Sequence, residues 1–190
     1  MNASIQMLIT CLLLCNQLLA QRDSSGVYLS ATAYGNKDMV YAINCNTQKH
    51  KIKLKTFFSK PEIVVIHNDT AYSLAKKDIY GYRDCDGKTY RFVDERVYQI
   101  LNPYDPIVLY RYFVYIPKDP TVEYFFSKKY DGEVRELTKD NLKHAFPDNH
   151  EFHMLIDNGF KDNLDLASYN KKNKAYKLME VFLKTIDYVK

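Results

Sequence analysis

The sequence predicts an α+β protein. An antiparallel, β-rich N-terminal part made of hairpins and meander is followed by three to four C-terminal helices packed on it. Three observations lead there. Short aromatic and aliphatic runs recur from Gly26 to Leu137, separated by Gly, Pro, Asn and Asp clusters, which is the spacing of antiparallel strands. Asp86-Gly87 and Asp131-Gly132 each stand between two such runs, and Asp-Gly is a hairpin signal because glycine accepts positive φ at no steric cost. After Leu137 the apolar spacing changes to a helical period, with Thr138, Asp148 and Asp162 in capping positions. Strands first and helices last is the order of a sheet with helices gathered on one face or end.

The chain opens with an apolar stretch, Ile5 to Ala20, interrupted by Gln6, Asn16 and Gln17. It is short for a membrane span and ends on a small residue before QRDSSG, which predicts a secretory signal over residues 1–20. An uncleaved anchor is the alternative, since the segment has no Lys or Arg before the apolar run. Residues 21–190 then form a single domain, β-rich over 26–137 and helical over 138–188. After cleavage no membrane span remains. The expected location is periplasmic or secreted.

Strands are predicted in order. Gly26 to Leu29 is the first, and Ser30 can cap one helical turn after it. Met39 to Asn44, Ile52 to Phe57 and Glu62 to His67 come next. Asn68-Asp69-Thr70 is a turn into Ala71 to Leu74, and it also reads as an N-glycosylation sequon, of consequence only in a eukaryotic host. Ile79 to Phe92 is the clearest hairpin. Its turn is either a two-residue loop at Asp86-Gly87 or a type I turn with a bulge. Either way, Ile79, Gly81, Arg83, Tyr90 and Phe92 are expected on the core face. Val97 to Leu101, Ile107 to Ile116 and Val122 to Ser127 continue the sheet, the last pairing with Val134 to Leu137. Thr138 caps a helix to about Ala145, with Leu137 and Leu142 as a hydrophobic staple. Asp148 caps the next, with Glu151 at its third position. Asp162 starts a short third helix, and the last runs from about Lys171 to Tyr188.

Cys11 and Cys15 leave with the signal. Cys45 and Cys85 remain, and in an oxidising compartment they are expected to form a disulfide, two buried free thiols being the alternative.

The net charge of +4 is spread along the chain rather than gathered in a patch, which argues against nucleic acid as a partner. Lys49 to Lys55 (KHKIKLK) reads as a half-buried strand with a solvated basic face, or as a patch for acidic polymers. The 17 tyrosines suit strands and their surfaces, and a sugar-binding aromatic platform is the sharper reading of the same feature. The densest polar group is His144, Asp148, His150, Glu151 and His153. His150 and His153 share a helix face, so both could reach one divalent metal, with His144 or Asp148 as further ligands. The plainer account is a capped helix start bearing exposed histidines. No Gly-rich phosphate loop and no Gly-x-Ser-x-Gly motif occurs.

YGYRDCDGKTYRF (Tyr80 to Phe92) and LTKDNLKHAFPDNHEFH (Leu137 to His153) resemble segments of small exported proteins of unassigned function from Bacteroidetes-type bacteria. That resemblance implies an envelope setting and no activity. The expected function is therefore that of an exported, non-enzymatic module without a cofactor, structural in the envelope or bound to an envelope partner. Two alternatives stand beside it: a metal-assisted hydrolase using His144, His150 and His153, and a glycan-binding module using the Tyr-rich strands.

Overall fold

The computed structural model describes residues 24–48, 51–54, 61–114 and 121–187. The expected signal segment, with Cys11 and Cys15, lies outside them. So do parts of the basic Lys49–Lys55 run and of the expected strands over Ile52–Phe57 and Ile107–Ile116. The protein is rich in antiparallel sheet, with helices added to it, and its contacts divide it into two compact units, one ending at Val97 and the other starting at Tyr98.

In the N-terminal unit, β1 (Ser24–Tyr28) pairs on one side with β2 (Val40–Asn44) and on the other with β6 (Gly81–Arg83), which pairs with β7 (Thr89–Val93). Helix α1 (Ala31–Asn36) lies between β1 and β2, and the Ser30 hydroxyl caps it by accepting the Ala33 N–H at 3.0 Å, as the sequence predicts. A second sheet has the order β3 (Lys51–Lys53), β4 (Glu62–His67), β5 (Thr70–Ala75). Asn68 and Asp69 join β4 to β5 with φ of 48° and 58°, both left-handed, as a two-residue type I′ turn requires. Val27, Ile63, Val65, Ile79, Tyr82 and Phe92 form the buried core of this unit.

The clearest hairpin forms, but its faces differ from those expected. Gly87, at φ 76°, donates its N–H to the Asp84 carbonyl, and the Asp84 N–H donates to the Lys88 carbonyl. The loop is thus Cys85-Asp86-Gly87, a type I turn closed by a bulge glycine. That extra residue moves the register by one and sets Tyr82 opposite Tyr90, their rings stacked with centroids 4.7 Å apart. A one-residue slip exchanges faces. Gly81 and Arg83 therefore share the face away from Tyr82, Tyr90 and Phe92, instead of lying beside Tyr90 and Phe92. Burial, with Tyr90 adjacent, pushes the Tyr82 hydroxyl well above its ordinary pKa.

Cys45 and Cys85 form a disulfide with their Cα atoms 5.6 Å apart. It ties the end of β2 to the tip of the β6–β7 hairpin.

In the C-terminal unit, the strand order is β11 (Arg135–Glu136), β10 (Thr121–Lys128), β9 (Ile107–Val114) and β8 (Arg96–Ile100), the last crossing the division between the units. Helices α2 (Lys139–Ala145), α3 (His150–Gly159) and α4 (Lys177–Asp187) share one core with this sheet. Ile107, Leu109 and Phe126 supply the sheet side; Leu142, Phe152, Ile156, Leu178 and Phe182 supply the helices. Thr138 caps α2 through the Asn141 N–H, and the staple pair Leu137 and Leu142 is buried.

Two helix starts move. Asn149, not Asp148, caps α3, accepting the Phe152 N–H at 3.0 Å while its amide donates to Thr185 of α4 at 2.8 Å. The last helix begins at Lys177 because Tyr169–Asn170 and Ala175–Tyr176 form a small hairpin, β12–β13, turned at Lys174 (φ 52°). Asp162 accepts the Asp165 N–H at 3.0 Å, but the helix there is a single 3-10 turn, Asp165–Ala167, whose N-cap position is Leu164 and carries no side-chain cap.

Candidate functional site

The C-terminal unit carries a surface cleft made of two adjoining cavities of about 420 and 330 Å³ that share Lys128, Ala145 and Pro147. Four elements build it, with Thr185 and Ile186 of α4 closing the second half. Strand β10 ends at Lys128, the chain turns and returns as β11 with Arg135, and α2 ends at Ala145, where Phe146-Pro147 prevents it from continuing. Phe126, Ala145 and Pro147 give the floor an apolar character. Lys128, Glu133, Arg135, His144 and Asp148 supply the charge-bearing walls.

Lys128 and the Arg135–Glu133 pair are already engaged. Lys128 lays its ammonium 5.0 Å from the Phe146 ring centroid and donates to the Ala145 carbonyl at 2.9 Å, one of the carbonyls a helix C-terminus leaves open. Arg135 pairs with Glu133, with Nη2 2.6 Å from Oε2. Lys143 of α2 pairs with Asp157 of α3 at 2.7 Å, and that bond holds the Asp157 carboxyl below the usual carboxylate range.

Of the residues expected to ligate a metal, His144 and Asp148 line this cleft, in its two different halves, and both are exposed. His150 and His153 do share a helix face, ring centroids 5.9 Å apart and perpendicular. The His153 Nε2 is in hydrogen-bond contact with the Phe146 carbonyl at 2.8 Å, so one ring nitrogen serves the chain reversal between α2 and α3. Among the described residues, no group of three or more His, Cys, Asp or Glu side chains is placed to hold a metal ion. Lys128, Glu133 and Arg135 escaped the sequence reading. They lie on stretches that only the β10–β11 pairing brings together, and nothing in their local spacing marks them.

The tyrosines mostly pack on one another. Tyr28, Tyr34 and Tyr80 form one run of contacting rings, Tyr82 and Tyr90 another, and Tyr98, Tyr110 and Tyr112 with Phe125 a third. Tyr104 and Tyr169 are exposed, one on a loop and the other on the β12–β13 hairpin. Among the described residues, no helix is long and apolar enough to cross a membrane.

Comparison of the chain with protein-family models, with curated proteins and with solved structures found no match.

Proposed function

We propose that this protein is an exported, non-enzymatic module that binds an envelope partner through the cleft of its C-terminal unit. The observation that carries this reading is the condition of the cleft's charges. A catalytic acid, base or nucleophile needs a side chain free to exchange a proton or attack a substrate. Here Lys128 is committed to a helix-end carbonyl and Arg135 to Glu133, while the exposed His144 and Asp148 line different halves of the cleft. Such groups offer a fixed pattern of donors and acceptors around an apolar floor, the composition of a recognition surface. The Cys45–Cys85 bridge supports export, since disulfides persist in oxidising compartments.

Three measurements test the proposal. Expressed at full length in a Gram-negative host, the protein should be recovered from the periplasm with Gln21 as its first residue and both cysteines blocked to alkylation. Recovery from the cytosol with free thiols would overturn the export reading. A photo-crosslinking residue at Asp148, introduced in the native host, should yield a discrete envelope adduct that the same residue at Asp162, on the exposed far loop, does not. A stoichiometric metal in the purified protein, lost on replacing His150 and His153 by Ala, would replace the reading by that of a metal-assisted hydrolase.

A further inference from the structure

We propose that the free edge of β5 is a self-association site, pairing antiparallel with β5 of a second copy of this chain about a two-fold axis at Ser73. The inference is independent of the cleft and of the export reading.

The sheet β3–β4–β5 ends at β5, and among the described residues no strand pairs with its outer side. An unpaired edge is a template for another chain, and proteins usually blunt it with lysines, bulges or brevity. The other edges follow that rule. Strand β3 carries Lys51 and Lys53, β2 is broken by a register shift opposite it and by Tyr41 at φ 51°, and β11 has two residues. Strand β5 has none of these devices. Thr70-Ala71-Tyr72-Ser73-Leu74-Ala75 is uncharged, free of proline, and pairs with β4 without irregularity over its six residues.

The hydrogen-bond parity selects one register. With the two-residue turn at Asn68-Asp69, the residue pairs His67/Thr70, Val65/Tyr72 and Ile63/Leu74 exchange bonds within the hairpin; the Lys76 N–H bond to the Pro61 carbonyl, at 2.7 Å, continues that parity. The N–H and C=O groups of Ala71, Ser73 and Ala75 therefore point outward. An antiparallel partner satisfies all of them only where Ser73 faces Ser73 and Ala71 faces Ala75, giving about six new backbone bonds. In that register Tyr72 faces Leu74 of the other copy on the sheet's inner face, an aromatic–aliphatic pair. On the opposite face stand Ala71, Ser73 and Ala75, with the Ser73 hydroxyl donating to the Glu62 carboxylate of β4 at 2.7 Å.

Charge agrees at the ends. An antiparallel copy sets the Asp69 turn end of one β5 beside the Lys77 end of the other, where the chain enters a 3-10 turn, Lys76–Asp78, so unlike charges adjoin at both ends without being ladder partners. Both residues are exposed, and neither has an ion-pair partner among the described residues. A six-residue edge buries less than a standard interface, so the dimer is weak and forms with rising concentration.

Sedimentation velocity on the purified oxidised protein tests this. The wild type should pass reversibly from monomer to dimer between about 10 µM and 1 mM, the range of a small interface. Ser73→Pro removes an outward N–H that β4 does not use, and should abolish the dimer while the far-UV circular dichroism is unchanged. Asp69→Lys should weaken it about fivefold or more, and Asp69→Lys with Lys77→Asp should restore it. A protein that stays monomeric to about 1 mM, or a dimer indifferent to both Ser73→Pro and the Asp69 charge reversal, overturns the proposal.

Discussion

The carboxamide of Asn102 replaces two backbone partners at once. Its amide donates to the Ile107 carbonyl at 2.9 Å and to Asp105, while its oxygen accepts the Leu109 N–H at 2.6 Å, all at the start of the buried strand β9. Removing it strands a buried donor and a buried acceptor, each costing about 1–3 kcal/mol. Asn102→Ala should therefore lower stability by about 3 kcal/mol in chemical denaturation. Asn102-Pro103 and Asp105-Pro106 carry turn chemistry, and the chain does bend there between β8 and β9. The burial of Asn102 was not legible, because that depends on where β9 lies. Asp165 belongs to the same scale. The Ser168 hydroxyl, then the Lys161 backbone N–H, hold its carboxyl below the usual carboxylate range. A depressed folded-state pKa contributes stability that is present above the ordinary carboxylate value of 3.8 and lost as pH falls through the folded one. Carbon-detected titration should place Asp165 below that value, and Ser168→Ala should move it back upward.

Among the elements, the β6–β7 hairpin shows what local sequence can and cannot decide. Asp84 to Gly87 announces a turn by its chemistry alone. Which face each flanking residue takes depends on a single bulge residue, and both candidate turns place glycine at positive φ, so the signal does not separate them. The observed register brings Gly81 so close to β7 that a Cβ there would meet the Tyr90 carbonyl oxygen at 1.9 Å. Gly81→Ala should cost roughly 3 kcal/mol, at the upper end for an overpacked site. Gly159→Ala, at the end of α3 with nothing within 4 Å of the added carbon, should be neutral or slightly stabilising in the same melt. The cap of α3 makes a similar point. Asp148 and Asn149 are adjacent and both are good caps, so propensity cannot choose. The bond from Asn149 to Thr185 on α4 does. Asn149→Ala should lose about 1 kcal/mol, and Asp148→Ala close to none. The small β12–β13 hairpin was hidden for a related reason: its few residues continue the apolar spacing of α4, and only the left-handed Lys174 reveals the turn.

For the whole molecule, strand-rich character and the cysteine pairing were readable from sequence, since one rests on composition and the other on elimination. The cleft was not, because its charged walls, Lys128 to Asp148, are brought together only by the β10–β11 pairing and the end of α2, which local spacing does not encode. The Cys45–Cys85 bridge spans 40 residues, and chain entropy gives such a loop about 4 kcal/mol, so Cys45→Ser with Cys85→Ser should unfold at lower denaturant by roughly that amount. The bridge has one more consequence. It makes residues 45–85 a closed covalent ring, and all of β3, β4 and β5 lies inside it. A protease that cuts once within that ring opens the loop without releasing a fragment. Limited digestion and electrophoresis should show an uncut mass without reductant and two pieces only after reduction, so a nicked molecule would keep its β5 edge attached to the rest of the chain.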